Sequence, residues 1–120
     1  MTLAQLAAIF VVCVLLHNAE EAVLLPAWSM RSQRWHRRVA PAEFRFGVFI
    51  LSVLLIAAAV AAFSNGPQSL AAYIFFGYVF AMAVNALLPH LAASLALRSY
   101  MPGTATGMLL NLPLGVYLLH

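Results

Sequence analysis

Four apolar runs, at about residues 2–25, 44–63, 70–97 and 104–120, leave only short stretches between them, and no other feature constrains this chain as tightly. About 20 apolar residues in a helix are enough to cross a hydrocarbon core of ~30 Å. Inside lipid, only helices and closed barrels satisfy their own backbone hydrogen bonds. The expected fold is therefore all-α: an integral membrane four-helix bundle with short loops, forming a single transmembrane domain over residues 1–120. Composition agrees, since 65% of residues are hydrophobic, 8% are charged, and neither lysine nor aspartate occurs. Met1 to Gln5 carries no basic residue, so the first run reads as a retained helix and not a cleaved signal. The single cysteine, Cys13, allows no internal disulfide.

The runs differ in character. The second, "FGVFILSVLLIAAAVAAF", is interrupted only by Gly47 and Ser52 and reads as lipid-facing scaffold with little polar work. The third is rich in small residues, which lets neighbouring backbones approach, and is expected near the centre. "SNGPQS" at 64–69 and "YMPGT" at 100–104 carry turn chemistry. Between the first two runs lie Arg31, Arg34, Arg37, Arg38 and Arg45 with Trp28, Trp35 and His36, whereas the 64–69 turn is uncharged. The positive-inside rule puts this one basic loop on the cytoplasmic face as an interfacial segment, with the tryptophans at headgroup level and the N-terminus outside. Arg98 falls on the same side. A bacterial inner membrane is the expected location, the lipid bilayer the expected partner, and no nucleic acid is implied, because the net charge of +3 is a matter of topology.

Against that apolar background stands "LLHNAEEAVLL", residues 15–25. Counting back from the cytoplasmic ends, His17 and His90 both lie ~12 Å deep, with Asn111 close to that level and Asn85 somewhat deeper. Glu20 and Glu21 stack on His17 at the i+3 and i+4 spacings. An ionised side chain at mid-membrane costs about 2.5–3.5 kcal/mol even on insertion scales, so this layer requires compensation. A bound cation, protonation of one carboxyl, or pairing with a buried base would each supply it. Pro89 and Pro113 remove backbone donors on two helices facing the layer, which points to a small wet cavity open toward the cytoplasm, and the site is expected between the first, third and fourth helices.

His17, His90 and Glu20 or Glu21 make the mixed nitrogen and oxygen set of a catalytic zinc site, with a position left for water. The expected cofactor is a divalent metal of the zinc type. One glutamate would be a ligand and the other a general base on metal-bound water, giving hydrolysis of a lipid-soluble or cytoplasmic small molecule. A di-iron site would need more ligands, which a homodimer could supply. Two other classes stand beside this one. A small carrier would use the Glu20/Glu21 pair for proton or cation coupling, and a structural protein would use the layer as polar packing between helices.

Three elements together, His17-Asn18-Ala19-Glu20-Glu21, the later His90, and Tyr100-Met101-Pro102-Gly103, resemble the HXXEE-motif family of small membrane proteins. The resemblance covers most of the chain and implies that His17, Glu20, Glu21, His90, Tyr100, Pro102 and Gly103 act as a set; it implies no reaction. Glu20-Glu21, His90 and Asn85 are also distantly similar in type to the intramembrane glutamate proteases of the CAAX-processing family. This chain lacks that family's arginine after the glutamates, reverses its histidine and asparagine order, and has fewer helices.

Overall fold

The computed structural model describes residues 1–32 and 37–120. Arg34, Trp35 and His36, read from the sequence as part of the basic interfacial loop, lie outside the described residues. The described chain is all-helical, in four helices: α1 Leu3–Arg31, α2 Pro41–Asn65, α3 Leu70–Leu97 and α4 Thr104–Leu119. The first three are long and apolar enough to cross a membrane, and α4 is a shorter apolar helix. Their exposed faces are studded with large hydrophobic residues, among them Phe46, Phe49, Leu54, Phe80 and Leu109.

Local chemistry sets the ends. Thr2 and Gln5 form a reciprocal capping box at the start of α1. Pro41 occupies the first turn of α2, where its missing N–H is not needed, so this helix begins before the expected Phe44. Gly66, with φ of 88°, ends α2, and the Ser69 side chain accepts from the Ala72 amide to start α3.

The first helix does not stop at Leu25 as the sequence suggested; it continues through Pro26 to Arg31. Proline at 26 leaves the Ala22 carbonyl without its helical donor. Arg45 on α2 fills the vacancy, its Nε donating to Ala22 O at 3.0 Å. The extension also places Trp28, read as a loop residue, in α1. It is buried in the last turns of α1, packed with Leu25 and Met101 over Phe44, Ala93 and Leu97. Ser29, also buried, accepts from the Val39 amide at 3.1 Å and so ties the returning chain to α1.

Helix α2 packs on α1 and α3, and α4 packs on the same two from the other side. The helices thus form a ring in chain order, with α1 and α3 facing across the diagonal. At the end nearest the 66–69 turn, Leu6, Ala7, Phe10 and Val14 meet Leu55, Ala62, Phe75, Val79 and Leu118 in an apolar core. Phe10 and Phe75 pack edge-to-face at 6.5 Å between ring centroids. Gly115 lets α4 sit close: a Cβ there would meet Phe10, Val79 and Ala83 at 3.6 Å.

Two helices are locally unwound. In α3 a wide-turn segment spans Ala86–Leu91, and Leu88 leaves helical geometry (φ −131°, ψ 112°) just before Pro89. In α4 the segment Gly107–Asn111 is also wide-turned, the Leu112 amide reaching back five residues to Gly107 O. Both segments lie beside the polar layer.

A candidate metal centre between two apolar clusters

His17 and Glu21 come from one face of α1, four residues apart, and His90 comes across the diagonal from the unwound part of α3. The two imidazoles are buried and meet edge-to-face, 5.0 Å between centroids. Glu21 Oε1 lies 3.0 Å from His90 Nε2 and 3.8 Å from His17 Nε2. One ligand atom from each of the three lies within 4.8 Å of the others. Above this trio is the Phe10/Phe75 core and below it the Leu25/Trp28/Met101 cluster, so the layer is bounded by apolar packing on both sides.

Glu20 has a different task. Its Oε1 accepts from the Gly103 amide at 3.0 Å and from the Tyr100 hydroxyl in a short contact, and its Oε2 accepts from Thr106 Oγ1 at 2.7 Å. The Tyr100 hydroxyl in turn accepts from the Ala105 amide at 3.3 Å. The carboxylate therefore gathers the loop and first turn before and within α4, where amides are left without helical partners. The Tyr100 phenol is held above its usual range by partial burial and then by the adjoining carboxylate, which keeps it a donor.

The clamp extends to His17. Thr106 gives its one hydroxyl hydrogen to Glu20, so toward His17 Nδ1, 3.0 Å away, it acts as acceptor. Nδ1 consequently carries the imidazole hydrogen and Nε2 keeps a lone pair on the side of Glu21, where the Asn85 amide reaches it at only 3.4 Å. An imidazole oriented through its far nitrogen by a hydroxyl and a carboxylate is the arrangement that supports metal-ligating histidines.

Gly103 closes the site from the α4 side. Its φ is 92°, and a Cβ there would lie 2.6 Å from His90 Cε1 and 2.8 Å from His17 Cε1. Only glycine provides both the backbone conformation and the approach. Ser94 and Thr104 fix the loop further: the Met101 amide donates to Ser94 Oγ at 3.0 Å, and Thr104 Oγ1 contacts Ser94 Oγ at 2.8 Å and the His90 carbonyl at 3.2 Å. Pro102 is buried within this loop.

The open side is elsewhere. On the α4 side Gly103 lies against both imidazoles, and Gly107 lies against Ala86 and His17. A cavity of about 300 Å³ lies instead among α1, α2 and α3, lined by His17, Asn18, Glu21, Leu51, Tyr78, Ala81, Met82 and Asn85. Helix α2, read as scaffold only, supplies Leu51 and, behind it, Ser52, whose hydroxyl accepts from Asn18 Nδ2 at 2.9 Å and donates to Val48 O.

The structure thus brings together His17, Glu21 and His90, with Asn85 at their edge, and brings Glu20, Tyr100, Pro102 and Gly103 into the adjoining clamp. Asn111 is buried with no hydrogen-bond partner on either amide atom and makes no polar contact with the trio. Thr106, Asn18, Ser52 and Tyr78 were not singled out from sequence. Asn18 had a signal, as a polar residue inside the motif itself, and Thr106 had one in standing three residues after Gly103, in the same first turn.

The donor set fits a divalent ion. Zinc holds nitrogen and oxygen at about 2.0–2.2 Å, which at a tetrahedral angle separates ligand atoms by about 3.4 Å; the separations of 3.0 and 3.8 Å bracket that value. Although His90 Nε2 is near Glu21 Oε1, it lacks the alignment of a hydrogen bond, and neither ring nitrogen of this buried histidine has a hydrogen-bond partner. A buried polar atom so placed calls for a ligand.

Comparison with known proteins agrees with the motif. The family described as "Protein of unknown function with HXXEE motif" matches residues 8–118. "Uncharacterized protein YrkK" of Bacillus subtilis (strain 168) is 35% identical over 113 residues, covering 94% of this chain and 72% of that protein. No solved structure matches. With motif, order and extent all matched, the chain belongs to the HXXEE-motif family.

Proposed function

We propose that this protein is a metal-dependent hydrolase embedded in a bacterial inner membrane, its four helices in the bilayer, its N-terminus outside and its arginine-rich end cytoplasmic. Three helices of sufficient length and an apolar exterior support the insertion. The clustering of Arg31, Arg37, Arg38, Arg45 and Arg98 at one end supports the orientation.

The observation that carries the metal reading is the convergence of two buried imidazoles and one carboxylate whose nearest pair, His90 Nε2 and Glu21 Oε1, faces without hydrogen bonding. His17, Glu21 and His90 hold the ion in this proposal, and all three belong to one chain, so the site does not require a homodimer. Bound zinc supplies a water whose pKa is lowered to about 7. Glu20, engaged by three donors, positions His17 through Thr106 and is not the base. Asn85 and Tyr78 flank the cavity where a substrate carbonyl is to be oriented.

Elemental analysis of detergent-purified protein, never exposed to chelator or to a histidine-tag column, tests the reading. About one metal per chain in the wild type and none in Glu21→Gln is the expected result. A metal-free wild type with proton-coupled uptake in vesicles would replace the hydrolase by a carrier. A metal-free wild type without transport would leave polar packing as the role of the layer.

A further inference from the structure

The route to the site and the walls along it restrict what can reach it. From the loop side, Gly103 lies against both imidazoles and the Tyr100–Gly103 turn is sealed to Glu20. From the opposite end, the Phe10/Phe75 core is closed, with Phe10, Phe75 and Val79 without exposed surface. The cavity has its floor on α1, at His17, Asn18 and Glu21, and its outer walls on α2 and α3. Its rim residues Leu51 and Ala81 are exposed, and they continue into the exposed apolar faces formed by Leu54 on α2 and Phe80 and Val84 on α3. The mouth therefore opens sideways onto surface that only lipid suits, while Glu21 inside keeps just 16% of its side chain accessible.

The polar groups along the cavity are neutral apart from Glu21. Asn18 and Asn85 are amides, Tyr78 is a phenol, and no arginine is among the described lining residues. A phosphate or carboxylate head would find no cationic side chain among the described lining residues, and at the metal it would take the position that hydrolysis needs for water. An uncharged carbonyl finds donors in the two amides and the phenol.

Building on the metal-hydrolase reading, we infer that the substrate is a neutral, membrane-dissolved ester or amide with an apolar tail, entering laterally between α2 and α3 past Leu51 and Ala81. Its head lies in the cavity and its tail remains in the bilayer. In hydrolysis the water oxygen bonds to the acyl carbon, the bond from that carbon to the leaving oxygen or nitrogen breaks, and the leaving group takes a water proton. The products are a carboxylic acid and an alcohol or amine, and no oxidant or reductant is involved.

Binding of a pyrene-labelled decanamide, neutral and slowly hydrolysed, to the protein in nanodiscs tests this without depending on turnover. The comparison uses wild type, Ala81→Trp and Leu51→Trp, with the metal content of each measured on the same samples; two variants on opposite walls guard against one failing to fold. Saturable binding by the wild type, weakened about tenfold or more by either folded tryptophan variant with metal content retained, is the expected result. Unaltered amide binding in both folded variants would overturn the inference while leaving the metal site standing. A wild type without metal would overturn the hydrolase reading, and amide binding would still decide the entry route.

Discussion

The Gly103 amide donates to Glu20 Oε1 at 3.0 Å across 83 residues of sequence, so the YXPG turn is anchored by the first carboxylate of the HXXEE motif while the second faces the histidines. Adjacent glutamates on one helix point about 100° apart, and the fold uses that divergence to give each a separate neighbourhood.

Separating the two glutamates by mutation tests the division. Glu21→Gln is expected to abolish metal binding, whereas Glu20→Gln, which touches only the support of His17, is expected to weaken it by about 10–100-fold. Metal titration followed by calorimetry distinguishes them; equal losses would refute the assignment.

Thr106 offers a finer test of the relay. Thr106→Val keeps the shape and removes the hydroxyl between His17 Nδ1 and Glu20 Oε2, and a loss of about tenfold or more in metal affinity is expected. Thr106→Ser should restore most of it. A valine variant with wild-type affinity would show that His17 is oriented by packing alone.

Gly103→Ala places a methyl group within 3 Å of both imidazoles in a backbone conformation that alanine rarely adopts. Destabilisation by roughly 1–3 kcal/mol is expected, combining backbone strain and overpacking. Thermal unfolding in detergent measures it. Because the added atom presses on the ligands, metal content should fall as well, in contrast to Gly47→Ala, where nothing lies within 4 Å of the new Cβ.

Tyr100 gives a pH signature. Its phenol is raised in the folded protein, so its contribution is present below the unfolded value near 10 and is lost as pH climbs through the higher folded value. The stability curve between pH 6 and 9 should therefore not sense this group, and a decline should set in above about pH 10. In Tyr100→Phe, that alkaline component should be absent.

Pro26 and Arg45 form a compensating pair. Arg45→Ala is expected to cost about 0.5–1.5 kcal/mol by orphaning the Ala22 carbonyl. In a Pro26→Ala background, where residue 26 again has an amide to donate, the same change should cost less. A double-mutant cycle on unfolding free energies reads the coupling; an additive result would mean that water satisfies Ala22 equally well.

The helical class and the approximate spans were legible because apolar length in this chain is a strong, local signal. The limits of α1 were not, since Pro26 reads as a stop and its tolerance depends on Arg45, 19 positions later. His17, His90 and the glutamates could be placed in one layer by counting turns, because depth in parallel helices follows from the ~1.5 Å rise. Which glutamate faced which partner could not, as that depends on the ring order of helices and on the path of residues 99–103. Gly103 and Gly107, small in the sequence, bring α4 close to the imidazoles, and one cavity falls beside α2, whose Ser52 and Leu51 looked incidental.

The distance in sequence between Glu20 and its donors bears on how the protein is made. A ribosome delivers α1 first, and the donors to Glu20 at residues 100–106 follow 80 to 86 residues later. Until they emerge, the first helix holds a carboxylate without these partners, a handicap of about 2.5–3.5 kcal/mol for an ionised group at the centre of a helix in a bilayer. The Tyr-Met-Pro-Gly turn supplies those partners, so a chain cut short before Tyr100 should leave Glu20 without them.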